Sequence, residues 1–458
     1  MDMPLPQTPD LLLRYAGASL PRYTSYPTAP HFLPLDEATW RRWLAGRVAP
    51  DHHLSLYVHI PFCRSLCWYC GCHTAVTNSA PRLARYAAAL RAEAALLAEA
   101  LPPHAGAVSL HLGGGTPTAV GADALAALVA DLRGRFGFAP GAELAAELDL
   151  RTLEEAAVAA LGGAGFTRAS LGVQDISPEV QARIGRIQPC DVVETAARRL
   201  RAAGIRGLNL DLMYGLPGQT AAHVEASAAF AAALGADRVA VFGYAHVPWM
   251  KPHQRAIAEA ELPGPLARLE QAEAAERVLC AAGYQAIGLD HFARPGDPMA
   301  AAARAGTLRR NFQGYTTDAA PVLLGLGASA IAQLPAAYAQ NETDERRWLA
   351  AVGAGRLPVV RGRALTPDDV VRQALIERVM CDLALDLGRA PPEVMAGAAA
   401  RLAPLAGDGL VRLEDGGRRL RVTGLGRRFV RHVAACFDAY LAGADGAPPP
   451  PRRHSRAV

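Results

Sequence analysis

The chain has 458 residues, 51% of them hydrophobic and 20% charged. That is enough apolar side chain for a large core, and it excludes both a small single module and a disordered chain. The formal charge of +4 is small and spread along the sequence, so nucleic acid is not a favoured partner. Lys251 is the only lysine and lies in Met250-Lys251-Pro252, which leaves no Walker A loop and little scope for Schiff-base chemistry. The opening MDMPLPQTPDLLLRYAG has neither a basic start nor a long apolar run, and the most apolar stretch, Ala320–Ala332, is too short and too rich in Gly and Ala to span a bilayer. A soluble, cytoplasmic protein with no membrane span is expected.

In chain order, a β-rich run at Leu54–Ile60 precedes a helix signal at Arg82–Leu101. Val108–Leu112 leads to Asp123–Phe136, Leu144–Leu148 to Leu153–Ala164, Arg168–Val173 to Val192–Ala203, and Leu208–Met213 to Ala221–Leu234. Arg238–Gly243 is the sixth strand. Short strands alternating with helices predict βα units and a parallel sheet. Every unit carries polar or glycine residues just beyond its strand: the cysteine loop, Gly113-Gly114-Gly115-Thr116-Pro117-Thr118, Glu147 and Asp149, Gln174 and Asp175, Asp211, and Tyr244-Ala245-His246. Chemistry at every strand's C-terminal end favours a barrel over an open doubly wound sheet, which would concentrate it at one switch point. The predicted fold is α/β, an incomplete barrel of six βα units. Residues 1–52 form an N-terminal arm, 53–360 the barrel with an extension, 361–442 a mainly helical C-terminal domain, and 443–458 a stiff proline-bearing tail. Within the extension, Asn311-Phe312-Gln313-Gly314-Tyr315 reads as a loop.

The eight cysteines are unevenly placed: Cys63, Cys67, Cys70 and Cys72 crowd together, while Cys190, Cys280, Cys381 and Cys436 are scattered and read as ordinary buried thiols. A tight cluster in a large protein points to metal or redox chemistry rather than disulfides. A structural zinc site would use Cys72, His59 or His73 as a fourth ligand, but zinc sites usually bring two ligand pairs separated by a longer loop, which is missing here.

The Cys63-x-x-x-Cys67-x-x-Cys70 spacing after the first strand, the aromatic Tyr69 before the last cysteine and the GGGTPT loop of the next unit together resemble the radical S-adenosylmethionine superfamily. Across almost the whole chain, PRYTSYPTAPHF, LYVHIPFC, CGC, SLGVQD, DLMYGLPGQT, YAHVPWMKPHQ, LDHFARP and NFQGYTT are similar to the oxygen-independent coproporphyrinogen III oxidases of that superfamily. The resemblance implies a 4Fe–4S cluster on Cys63, Cys67 and Cys70, with the open iron chelated by S-adenosylmethionine, and possible room for two such molecules. It also implies catalytic roles for Cys72 and Tyr57, and cofactor contacts at Tyr57, Tyr69, Gly114, Gly115, Thr116, Glu147, Gln174, Arg186, Asp211, Ala245 and Ile331. The implied reaction converts two propionates of coproporphyrinogen III to vinyl groups in heme biosynthesis, with a low-potential electron donor and a monomeric enzyme. The family's Glu-x-Asp-Pro appears here as Glu147-Leu148-Asp149-Leu150, which puts the following turn in question. Two relatives of different function, a heme chaperone and a radical heme-degrading methyltransferase, fit less well. The chaperone branch typically lacks the PRYTSYPT arm and NFQGYTT and has an aromatic in place of Cys72. A tetra-anionic substrate needs cationic partners, for which Arg22, Lys251, Arg294 and Arg310 are the candidates, with Lys251 and Arg22 expected nearest the cofactor.

Overall fold

A computed structural model describes residues 9–441. The expected tail, 443–458, lies outside the described residues. Six parallel strands follow one another in sequence and in space: β1 (Leu54–Ile60), β2 (Ala107–Gly114), β3 (Phe138–Leu148), β4 (Arg168–Gln174), β5 (Gly207–Tyr214) and β6 (Arg238–Gly243). The helices between them are α1 (Ala80–Ala100), α2 (Ala122–Phe136), α3 (Glu155–Gly163), α4 (Cys190–Ala202) and α5 (Ala221–Ala233). Their ends follow local chemistry. The Ser79 hydroxyl accepts the Arg82 N–H with Pro81 in the first turn of α1, Gly137 takes the left-handed conformation that closes α2, and Thr220 and His223 form a reciprocal cap on α5.

Alternation along the strands decides what faces inward. On β5, Leu208, Leu210 and Leu212 are buried under the helices, while Asn209, Asp211 and Met213 point the other way. On β4, Ala169, Leu171 and Val173 are buried, and Arg168, Ser170, Gly172 and Gln174 lie on the opposite face. The barrel interior is therefore polar and hollow, with a cavity of about 290 Å³ lined by Ser170, Asn209, Asp211, Arg168 and Arg238 among others.

Neither end of the sheet meets the other, as expected of an incomplete barrel, but the sheet extends well beyond the six units. Beyond β6 it continues into two short antiparallel strands, β7 (Gln285–Ile287) and β8 (His291–Ala293), with β8 next to β6. On the other side a seventh parallel strand, β9 (Val322–Leu326), pairs with β1, Val322 against Leu54 through Leu326 against Val58. The apolar stretch around Ala320–Ala332 is thus sheet core. From β9 the chain turns back through β10 (Ile331–Leu334), β11 (Ala337–Asn341) and β12 (Val359–Ala364), all antiparallel. The division expected at 360/361 falls inside β12.

The N-terminal arm joins two cores. Leu35, Trp40, Leu44 and Val48 pack into the barrel core, whereas Tyr15, Tyr23 and Tyr26 pack with Val379, Met380, Phe429 and Phe437 of the C-terminal part. That part includes helices α7 (Pro367–Asp382) and α8 (Pro392–Gly407), a small three-stranded sheet and two short helices, Gly424–Arg428 and Val430–Ala435, while α6 (Pro265–Ala281) sits against α5. The NFQGYTT segment is not a loop but a hairpin, Arg309–Asn311 against Gly314–Thr316. The structure also corrects the reading of the scattered cysteines: Cys381 and Cys436 are buried, but Cys280 is exposed and Cys190 only half-buried.

Candidate functional site

A cavity of about 610 Å³ opens at the C-terminal ends of the barrel strands. Cys63, Cys67, Cys70 and Cys72 all line it, together with Tyr69, Gly114, Gly115, Thr116, Glu147, Gln174, Arg186, Asp211 and Ala245. These residues come from six successive βα units, and only the parallel in-order sheet brings them to one rim. Two expected contacts are not in this wall. Tyr57 stands behind it on β1, its hydroxyl 3.0 Å from His59 Nδ1 and its ring stacked on His111 at 5.9 Å. Ile331 lies on β10, where its backbone packs against Gly325.

The cysteine loop leaves β1 through a two-residue strand, Phe62–Cys63, paired with Ala75–Val76. The Thr116 hydroxyl lies 3.6 Å from Cys63 Sγ, and Arg151 Nη2 and Arg186 Nη1 approach Cys67 Sγ at 3.2 and 3.5 Å. Donors aimed at sulfur favour thiolate, the form that binds metal. Burial pushes the Cys63 thiol up to about 11. Cys70 and Cys72 share a hydrogen bond that draws Cys70 down to about 6 and sends Cys72 up. Among the described residues no three Cys, His, Asp or Glu side chains gather around a single ion. Three free thiols spaced around one cavity suit the corners of a multi-iron cluster, and the donors at Cys63 and Cys67 would hold charge on its ligands.

The glycine loop approaches this segment as closely as backbone allows. The Gly115 N–H donates to Ile60 O at 2.9 Å and the Thr116 N–H to Phe62 O at 2.8 Å. A methyl group at Gly115 would lie 2.7 Å from Phe62 O, and one at Gly114, where φ is +114°, would lie 2.6 Å from the His59 ring. Glu147 accepts from the Gly114 N–H at 3.1 Å and pairs with His111 at 3.2 Å. Burial raises its pKa, but His111 and the Gly114 amide more than offset this and keep it below the usual carboxylate range. Asp211, held by Ser170 at 2.7 Å and Asn209 at 2.8 Å, is pushed up to about 6, chiefly by burial. Arg186 donates to Gly172 O at 2.6 Å and lies 3.3 Å from Asp149, and its Nε is buried without a partner. Gln174 sits at φ +69°, unusual for a residue with a side chain.

Several residues that the sequence did not single out complete the site. Arg151 couples Asp149, at 2.6 Å, to Cys67. Leu150 replaces the family proline without loss of the turn: it is buried, and Asp149 caps a 3₁₀ turn, Leu150–Thr152, by accepting the Arg151 N–H. The segment after β6 clamps the cysteine loop. The fully buried Gln254 donates to Tyr69 O at 2.9 Å and Ala245 O at 3.2 Å, and His253 Nε2 lies 2.7 Å from Cys70 O. Lys251 is a correction to expectation: its Nζ donates to Cys72 O at 2.7 Å, and the side chain is not in the cavity wall. Arg294, which donates to Ala236 O, is also absent from that wall, whereas Arg22 is present. An arginine two residues past a conspicuous aspartate was a usable signal for Arg151. Nothing local marks Gln254.

Residues 57–231 match the model of the radical SAM superfamily. Oxygen-independent coproporphyrinogen III oxidase from Bradyrhizobium diazoefficiens is 49% identical over 98% of this chain and 99% of its own length. The Escherichia coli protein of the same name is 40% identical over 94% and 95%. A solved structure of coproporphyrinogen III oxidase from Escherichia coli, described as a radical SAM enzyme, superposes with a TM-score of 0.87 at 39% identity, covering 92% of this chain and 98% of that one.

Proposed function

This chain belongs to the oxygen-independent coproporphyrinogen III oxidase family of radical SAM enzymes, and on that premise we propose that it oxidatively decarboxylates two propionates of coproporphyrinogen III to vinyl groups, giving protoporphyrinogen IX. The observation that carries the proposal is the meeting of Cys63, Cys67 and Cys70 with the Gly114–Gly115 backbone in one cavity of about 610 Å³. A 4Fe–4S cluster held by Cys63, Cys67 and Cys70, together with S-adenosylmethionine, would supply the hydrogen-abstracting radical chemistry that oxidative decarboxylation of a propionate needs, with an external acceptor for the electron released. The protein's part is to bind, orient and shield.

Cys63, Cys67 and Cys70 hold the cluster, with Thr116, Arg151 and Arg186 stabilising the charge on sulfur. The Gly114–Gly115 turn and Thr116 receive the amino end of the cofactor, and Glu147 and Asp211 accept from its ammonium or ribose hydroxyls. The buried, unpartnered Nε of Arg186 is suited to the cofactor carboxylate. Gln174, Tyr69 and Ala245 line the same chamber. Tyr57 acts from behind, through His59 and His111, and Ile331 has a place only if the occupied chamber extends toward β10. Cys72, the fourth thiol of the chamber wall, stands outside the three cluster ligands and takes the catalytic role that the family resemblance implies. A chamber of this size also suits a second S-adenosylmethionine. An external low-potential donor supplies the electron, and a cytoplasmic monomer fits this reading.

The test is anaerobic reconstitution of the full chain with iron and sulfide, followed by incubation with coproporphyrinogen III, S-adenosylmethionine and a low-potential reductant. Divinyl product with release of carbon dioxide is expected. No vinyl product from a protein carrying a full cluster would refute the assignment.

A further inference from the structure

The chamber described above is poorly charged for its substrate. Of its three arginines, Arg151 and Arg186 are both engaged by Asp149, and Glu147 and Asp211 add negative charge, which leaves Arg22 at the rim. A porphyrinogen with four carboxylates needs further positive charge at the rim, and the wall around Arg22 offers it.

A smaller cavity of about 70 Å³ shares Arg22, Gly243 and Tyr244 with the chamber. Five arginines reach its wall, Arg22, Arg268, Arg310, Arg428 and Arg431, with two carboxylates, Asp290 and Glu276. Glu276 pairs with Arg427 at 2.6 Å and Arg428 with Glu273 at 2.8 Å, so both are matched outside the cavity. Asp290 is the other carboxylate of the wall, and it accepts from His291 at 2.7 Å.

Several of these arginines also donate to neutral carbonyls. Arg22 Nη2 donates to Gly243 O at 3.1 Å, and Arg310 donates to Tyr23 O at 3.3 Å and Arg22 O at 3.1 Å. Arg431 Nε donates to Pro21 O at 2.9 Å, and Arg268 Nη2 to Tyr244 O at 2.8 Å. Carbonyls satisfy N–H groups but do not cancel charge, and Arg310, whose guanidinium lies 4.4 Å over the Tyr315 ring, has its Nη1 buried with no hydrogen-bond partner. Burial first, then the charges of Arg22 and Arg310, pull Arg431 down to about 10. Against the upward pull of burial, His291 first and then Arg310 and Arg22 hold Asp290 down to about 2.

We propose that Arg22 and Arg310 form a carboxylate subsite that grips a non-reacting propionate of the tetrapyrrole while the reacting propionate enters the chamber beyond Gly243. The inference rests on the function proposed above. A bidentate guanidinium fixes the direction of a carboxylate. One propionate anchored here limits which side chains on the ring can reach the radical.

The test is an anaerobic absorbance titration of the reconstituted full chain with coproporphyrin III, the aromatic tetracarboxylate. Arg22→Gln and Arg310→Gln should each weaken binding about tenfold, the loss of one charge-assisted contact. Arg22→Lys should recover part of it, and the difference from wild type should shrink in high salt. Arg294→Gln, outside both cavities, should bind like wild type. Arg22 is exposed at the rim and its replacement should not disturb folding, so it decides the matter if Arg310→Gln proves unstable. Unchanged porphyrin affinity in Arg22→Gln would overturn the proposal. So would a fall in the stoichiometry or affinity of labelled S-adenosylmethionine with porphyrin binding intact, since the carboxylate would then belong to a second cofactor. Failure of the functional reading is seen separately, as a wild-type protein that makes no vinyl product.

Discussion

Replacing Gly115 with alanine tests the close approach on which the cofactor loop depends. The new methyl group would stand 2.7 Å from Phe62 O and 2.9 Å from Phe62 C and N, where ordinary contact begins near 3.4 Å. All three obstructing atoms are backbone, so no side-chain rotation can relieve the clash. The glycine loop and the cysteine loop must instead separate by several tenths of an ångström. Overpacking of this kind costs about 1–3 kcal/mol. The shift also stretches the two hydrogen bonds that join the loops, Gly115 N–H to Ile60 O and Thr116 N–H to Phe62 O. Because Phe62 precedes Cys63, its displacement shifts the first proposed cluster ligand. Gly115→Ala should therefore lower the urea midpoint, reduce iron incorporation and weaken S-adenosylmethionine binding together. Gly134→Ala is the matched control. It lies inside α2 with nothing within 4 Å of the added methyl, and it should stabilise by about 0.5–1 kcal/mol through helix propensity. A Gly115→Ala protein with wild-type stability, iron content and cofactor affinity would refute the reasoning.

Three further outcomes are expected. Alanine at Cys63, Cys67 or Cys70 should abolish the cluster absorbance, whereas Cys72→Ala should keep the iron and lose product; equal iron loss in Cys72→Ala would make it a ligand. Gln254→Ala should destabilise by about 2–4 kcal/mol, because it leaves the carbonyls of Tyr69 and Ala245 and the Val247 N–H without partners; wild-type stability would show that the clamp is dispensable. Burial pushes Glu93 up to about 8, against the pull of the Gly327 amide and Asn341. The folded chain then keeps a proton that the unfolded chain releases from about pH 4.5 upward, so this group's contribution is greatest below that pH and is lost as pH rises to about 8, on the order of several kcal/mol. Glu93→Gln should flatten that part of the stability profile, and an unchanged slope would show that Glu93 is ionised in the fold.

Much of the molecule is legible in contiguous sequence because the signals are local. The βα alternation, the caps at Ser79 and Thr220, and the period-two face that turns Ser170 and Asp211 inward depend only on near neighbours. The thiol spacing and the glycine loop belong to the same class, since each follows its strand directly. Right-handed βα units in chain order then bring all their C-terminal ends to one rim, so the chamber is already implicit in the motif order. What the tertiary structure alone decided involves segments far apart in the chain. The pairing of Val322–Leu326 with Leu54–Val58 and the division of the arm between two cores leave no mark on the residues concerned, which are apolar in any arrangement. Lys251 reads as a substrate cation, yet it ends on the Cys72 carbonyl. Arg22 and Arg310 become a charged wall only when the arm, the hairpin and β6 meet. A side chain's chemistry is set by its type, but its partner is set by packing, and packing is a property of the whole chain.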